Sequence, residues 1–203
     1  MSADSSNNQN IQVYVRIRPL NSREKLESDK TCITEDVFLS QEESSKLIIL
    51  DTKPDQKRFY YDWIAKEDSQ QHQIFQKVGS PLVLTCMEGY NCTIFAYGQT
   101  GAGKTYTMQG NGLDLEDQSE IQHRGLQPRV IDELFKKVKS QMEQDGSIYL
   151  LKCSYFEIYN EQIMDLLNPT SGNLQIREDL KKGAFIDNIT EEVVCNVEDA
   201  IQL

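Results

Sequence analysis

Apolar residues along this chain switch between two periods, and the switches mark its elements. Ile11, Val13, Val15 and Ile17 alternate with Gln12, Tyr14, Arg16 and Arg18, which predicts a strand that buries one face and stops at Pro19. Residues 21–45 are charged and uneven, with residues 32–34 and 37–39 as candidate short strands. Residues 47–50 and 58–61 read as two strands joined by a turn through Asp51, Thr52, Lys53 and Pro54. A helix is expected from Asp68 or Ser69 through Ile74, Phe75 and Val78 towards Met87, kinked or split at Gly79-Ser80-Pro81 because proline removes a hydrogen bond. Thr93-Ile94-Phe95-Ala96-Tyr97 is an apolar, β-prone run and predicts a strand.

Further along, residues 111–123 are acidic and read as a surface loop. Pro128 then sits at the start of a clear helix, where its missing N–H costs nothing, and Ile131, Leu134, Phe135, Val138 and Met142 form one apolar stripe. Lys136, Lys137 and Lys139 lie off that stripe. Residues 148–159 predict a long central strand, followed by a short helical piece closed by Asn168-Pro169. Residues 174–176 and 184–186, around Lys181-Lys182-Gly183, predict a hairpin. Residues 1–10 have no apolar period and are expected to form a mobile arm, leaving 11–203 as one continuous body.

The chemistry is concentrated directly after the run at 93–97. Gly98-Gln99-Thr100-Gly101-Ala102-Gly103-Lys104-Thr105 is a complete G-x-x-x-x-G-K-[ST] phosphate-binding loop. Glycines let the backbone curl around phosphates and present its N–H groups to them. Lys104 offers a point charge to the β- and γ-phosphates, and the Thr105 hydroxyl is placed to complete a Mg²⁺ shell otherwise filled by water and phosphate oxygens. The helix expected next adds the positive end of its dipole. The predicted ligand is a nucleoside triphosphate.

The words around the loop narrow the family. Gly89-Tyr90-Asn91, residues 94–100 and Gly103-Lys104-Thr105-Tyr106-Thr107-Met108 together resemble the catalytic core of a kinesin motor domain. Val15-Arg16-Ile17-Arg18-Pro19-Leu20, Arg124-Gly125-Leu126-Gln127-Pro128-Arg129 and residues 154–161 followed by Asp165-Leu166-Leu167 agree in the same order. Asn173-Leu174-Gln175-Ile176-Arg177-Glu178-Asp179, Lys182-Gly183 and Thr190-Glu191-Glu192 look most like the twelfth, spindle and phragmoplast subfamily.

That resemblance implies an α/β P-loop NTPase fold, a mixed central sheet flanked by helices, and an ATP/ADP and Mg²⁺ site in a microtubule-stimulated ATPase of N-terminal-motor type. It implies that Arg16, Arg18 and Pro19 lie beside adenine and that the ring of Tyr106 packs near the base. It also sets Lys181 and Lys182 in a tubulin-facing loop, although two lysines in a turn are as readily a solvated tip. The family's Asn-x-x-Ser-Ser-Arg-Ser-His and Asp-Leu-Ala-Gly-Ser-Glu loops are not in these residues, so no catalytic residue is assigned, the fold is expected to be incomplete on its C-terminal side, and the chain alone is expected to be inactive and prone to aggregate. Two other readings stay open: a non-motile protein that binds nucleotide or tubulin, and a different P-loop NTPase.

Composition changes the picture less. A net charge of −11 disfavours nucleic acid as partner while leaving an acidic protein such as tubulin open to local basic patches. No apolar run of about 18 residues occurs, and no charged-then-apolar leader, so the expectation is a cytoplasmic, cytoskeletal protein with no membrane partner. The five cysteines are scattered without a C-x-x-C pair, which suggests reduced thiols rather than a metal site. Oligomeric state is not written in these residues; a parent chain could pair through a coiled coil outside them.

Overall fold

The computed structural model describes residues 11–28, 33–36, 46–52, 55–111, 118–180 and 183–203. The arm expected at 1–10, the candidate strand at 37–39, and Lys181 and Lys182 lie outside the described residues. Helices and strands are both present, in runs rather than in strict alternation, and parallel and antiparallel pairs both occur, in keeping with the mixed α/β expectation. The described strands form four separate ladders of two, four, two and three strands.

The site is carried by a small parallel pair and three helices. Tyr14–Arg16 runs parallel to Trp63–Ala65, in the register Tyr14↔Trp63, Val15↔Ile64 and Arg16↔Ala65. The first strand is shorter than the alternation from Ile11 suggests, because Ile11 and Val13 are exposed and only the stretch facing Trp63–Ala65 is paired. Asn21 caps the short helix Ser22–Leu26 through a capping box with Glu24.

The helix expected from Asp68 starts at Gln71 and runs without a break through Gln71–Ile74, a π-helical turn Phe75–Gly79 and Ser80–Met87. Pro81 does not split it. The Ser80 N–H bonds to the Phe75 carbonyl, and this wider turn gives room for the proline ring at the carbonyl it would otherwise strike. Gly79 is buried there because a side chain would meet the Phe75 ring and Val130.

Leu126–Asp145 is the long helix predicted from its stripe, ended by Gly146 at φ 72°. Ile131, Leu134, Phe135 and Val138 are partly or fully buried, whereas Met142 is 43% exposed, so the stripe ends one turn early. Ala65, Ile74 and Leu126 form the buried core between these elements, with Trp63, Phe75, Val78, Ile94 and Met108 packed against it. Burial of the Ile74 and Leu126 side chains contributes roughly 1.5–3 kcal/mol each. Ile94 and Met108 bracket the phosphate-loop sequence, so this core fixes both of its ends.

Three expectations are corrected. Residues 93–97 form no strand; exposure does alternate, with Phe95 at 82% and Tyr97 at 90%, but no ladder among the described residues includes them. Residues 148–159 are not one strand. Lys152–Cys153 pairs with Glu192–Val193, while Phe156–Tyr159 turns back on Gln162–Asp165. The helical piece expected after Tyr159 is therefore half of a hairpin, made possible by Asn160 and Glu161 at φ 49° and 63°, the two left-handed residues of a tight hairpin turn.

The hairpin at the C-terminal side is present, with Asn173–Asp179 paired to Gly183–Asp187 from Gly183↔Asp179 to Asp187↔Gln175. The hairpin Lys46–Thr52 with Asp55–Tyr61 is present too, and Ile33–Asp36 adds to it in place of the strand expected at 32–34. The loop expected at 111–123 contains a 3₁₀ segment, Gln118–His123. Among the described residues no helix is long and apolar enough to cross a membrane.

Candidate phosphate-binding site

The loop 98–105 leaves the core at Ile94 and re-enters it at Met108 through the helix Lys104–Met108. Its turn closes where the Ala102 N–H bonds to the Gln99 carbonyl at 3.1 Å, with Gln99 and Thr100 exposed. Gly101 and Gly103 have φ of 80° and 94°, in the left-handed region that a Cβ penalises. A Cβ added at either would meet nothing within 4 Å, so backbone geometry demands these glycines and the space beside them is open. Gly98 is closer to its neighbour: a Cβ there would come within 3.0 Å of that of Ala102.

Lys104 is folded onto the loop, donating from Nζ to the carbonyls of Gly98 at 2.8 Å and Gln99 at 3.0 Å. A cation held by neutral carbonyls keeps its full charge for an anion placed over the loop. Thr105 is exposed at the first turn of the helix. The helix has only five residues, so its contribution is that of its first N–H groups rather than of a long dipole. No group of three or more His, Cys, Asp or Glu close enough to hold a metal occurs among the described residues. Among the described residues, the Thr105 hydroxyl is the group that would be offered to a magnesium ion here, beside oxygens from phosphate and water.

Of the residues expected near the base, the structure brings Arg16 and Tyr106 together. The Arg16 guanidinium lies 5.0 Å from the centroid of the Tyr106 ring, a cation–π distance. Burial pulls Arg16 down from its ordinary pKa, opposed by the neighbouring Tyr106. Arg16 Nη1 also donates to Gln71 Oε1 at 2.8 Å and Thr107 Oγ1 at 3.1 Å, and Nη2 donates to the Ser69 carbonyl at 3.4 Å.

Arg18 is engaged elsewhere. It makes a two-pronged pair with Glu24, at 2.7 and 2.6 Å, and those bonds with the Asn21 N–H hold the Glu24 carboxylate at about 2. Pro19 is exposed beside this pair.

Gln71 and Arg129 were not legible as site residues. Gln71 Nε2 donates to the carbonyls of Tyr106 at 2.7 Å and His123 at 3.3 Å. Arg129 holds the end of the 3₁₀ segment, donating from Nε to the Arg124 carbonyl at 2.9 Å and from Nη2 to Ile121 at 2.8 Å and Gln122 at 3.2 Å. The Asn21-x-x-Glu24 pairing did carry a signal, the capping-box spacing. Cys86, Cys92, Cys153 and Cys195 are free thiols, and Cys32 lies outside the described residues.

Comparison with known proteins places this geometry in context. A family model described as "Kinesin motor domain" matches residues 16–203. Kinesin-like protein KIN-12E of Oryza sativa subsp. japonica is 44% identical over 198 residues, covering 96% of this chain and 10% of that protein. KIN-12D of Arabidopsis thaliana is 43% identical over 198 residues, covering 96% of this chain and 7% of that protein. Kinesin-like protein KIF15 of Strongylocentrotus purpuratus is 40% identical over 201 residues, 97% of this chain and 13% of that protein. A solved structure of a fast kinesin superposes with a TM-score of 0.82 at 32% identity, covering 95% of this chain and 50% of that one. The chain therefore spans about a tenth of these curated relatives and half of the solved chain.

Proposed function

The chain belongs to the kinesin motor domain family, and from that premise we propose that it forms the nucleotide-holding part of an ATP-driven, microtubule-based motor. One observation carries the reading: two left-handed glycines with open space beside them, directly followed by a lysine already poised on the loop carbonyls. In this reading the triphosphate of ATP lies over 98–105. Backbone N–H groups and Lys104 bind its oxygens, and the Thr105 hydroxyl orients a magnesium ion, which when bound neutralises charge on the β- and γ-phosphates. Arg16 and Tyr106 form the platform beside the base. Arg18 acts one step back, its pair with Glu24 tying down the turn at Pro19.

The hairpin Asn173–Asp179 with Gly183–Asp187 is the proposed tubulin-facing element, and Lys181 and Lys182, which follow its first strand in sequence, are proposed to supply salt-sensitive attraction to an acidic surface. The corresponding location is the microtubule cytoskeleton. These 203 residues contain neither the Asn-x-x-Ser-Ser-Arg-Ser-His sequence expected to order the attacking water nor the Asp-Leu-Ala-Gly-Ser-Glu sequence expected to hold magnesium, and this favours binding without turnover for the chain by itself. The test is a pair of titrations on the 203-residue chain: a fluorescent ATP analogue with Mg²⁺ binds and is displaced by ADP, while added microtubules give no phosphate release. Failure to bind ATP by a chain that is soluble and melts cooperatively refutes the site, and microtubule-dependent release refutes the assignment of turnover to residues outside this set.

A further inference from the structure

Gln71 sits in the polar run Ser69-Gln70-Gln71-His72-Gln73, where nothing in the sequence separates it from its solvated neighbours. The structure buries it to 3% exposure. A buried primary amide needs both ends satisfied, and here they are. Oε1 accepts from Arg16, and Nε2 donates to the carbonyls of Tyr106 and His123. The partners also fix which way the amide points, since the flipped form would set its NH₂ against a guanidinium and its oxygen against two carbonyls.

We infer that Gln71 is a positioning residue for recognition of the nucleotide base, one amide holding both the cation of Arg16 and the backbone of the residue whose ring that cation covers. The inference rests on the reading of Arg16 and Tyr106 as the base platform. Arg16 also donates to Thr107 Oγ1 at 3.1 Å and the Ser69 carbonyl at 3.4 Å and is drawn to the Tyr106 side chain, but its bond to Gln71, at 2.8 Å, is the shortest of those that hold it. None of the hydrogen bonds made by Gln71 reaches residues 98–105. Loss of Gln71 therefore acts on the base and spares the phosphates, a division that a general loss of structure does not produce.

That division sets the experiment. ATP and inorganic tripolyphosphate are titrated, each with Mg²⁺, into a longer chain carrying the whole motor domain and into its Gln71→Met and Gln71→Glu forms, with circular-dichroism melts to verify the fold. Met keeps the volume and removes all three bonds; Glu keeps the acceptor for Arg16 and removes both donors. We expect Gln71→Met to weaken ATP by about tenfold, the effect of one hydrogen bond to a charged partner, with tripolyphosphate within about twofold and Gln71→Glu intermediate. Should Gln71→Met not fold, the near-isosteric Gln71→Glu carries the same comparison. Unchanged ATP affinity, or equal losses for both ligands, overturns the inference. If the parent chain binds neither ligand the phosphate site itself fails, and if it binds tripolyphosphate as tightly as ATP the base platform fails and this inference with it.

Discussion

The phosphate-loop side and the C-terminal strands of this chain are held together by different means. Around the loop, an apolar core of Ala65, Ile74 and Leu126 is joined to a network of side-chain hydrogen bonds, in which those of Gln71, Arg16 and Arg129 span from 5 to 91 positions of sequence. In the strands from Phe156 to Asp187 the ladders carry the load: Ile163 and Leu174 are buried, but Ile158, Tyr159 and Ile176 are 64%, 73% and 63% exposed. Asp165 is the exception there, a buried carboxylate accepting from the N–H groups of Leu167, Asn168 and Thr190. Side-chain networks fix individual atoms, as a nucleotide site needs; ladders fix a surface and leave its side chains free for a partner. Substitutions are therefore expected to be felt at single atoms on the first side and through the backbone on the second.

The sharpest break is Lys104→Ala. The lost contact to phosphate is a charge-assisted hydrogen bond of about 1.5–3 kcal/mol, so ATP affinity drops by about ten- to a hundredfold, and turnover of a longer chain carrying the whole motor domain is abolished. Equilibrium binding and steady-state phosphate release check it; turnover within twofold of the parent would remove the loop from the mechanism. Next in size is the core. Ile74→Ala leaves a cavity beside Ala65 and Leu126 and is expected to cost about 2–5 kcal/mol, whereas Ile176→Ala on the open strands changes stability by no more than about 0.5 kcal/mol. Urea unfolding of the two variants side by side measures the contrast, and equal losses would erase it.

What could be read in advance follows the range of the interaction that decides each element. The phosphate loop was legible because its chemistry is written in adjacent residues, Gly98 to Thr105, and the hairpin around Gly183 because its strands and turn lie within fifteen positions. The run at 93–97 has the apolar, β-prone residues of a strand, but a strand exists through its ladder, and ladder partners are not local. The proline rule predicts a kink or split at Pro81 because it assumes an α-helical turn before it, and the chain supplies a π turn. Arg16 was found through a family motif, while Gln71 was invisible: a buried amide and a solvated one have the same letter, and only the fold brings Tyr106 and His123 to it.

The carboxylate of Asp165 tests whether the strand region has a single weak point. The backbone N–H of Thr190, ahead of the opposing effect of burial and helped by the Thr190 hydroxyl, Leu167 and Asn168, holds its pKa below the ordinary value. For a depressed acid the stabilisation is fully present above the unfolded pKa, about 3.9, and is lost as pH falls through the folded value. Below about pH 4 the strands from Phe156 onward are thus expected to loosen first. Asp165→Asn should lower stability at pH 7 and flatten the acid dependence. Hydrogen exchange at Ile163 and Thr190 between pH 3 and 7 follows this, and an acid profile unchanged by the substitution would show that other groups set it.

The smallest expected effect discriminates most finely, because its sign depends on which structure the segment after Tyr159 has. Glu161 sits at φ 63°, where a residue with a Cβ loses roughly 1–2 kcal/mol, while glycine's extra freedom in the unfolded chain costs about 0.5–1 kcal/mol. Glu161→Gly also makes the turn Asn-Gly, the pair that two-residue hairpins favour. In the hairpin the substitution is therefore expected to stabilise by about 0.5 kcal/mol and to slow exchange of the Tyr159 and Gln162 amides, which face each other next to the turn. In a helical segment, which local sequence grammar favoured here, the same glycine would destabilise by about 1 kcal/mol. Urea unfolding with amide exchange reads the sign, and a loss of stability would return residues 161–167 to the helix and detach Gln162–Asp165 from its ladder.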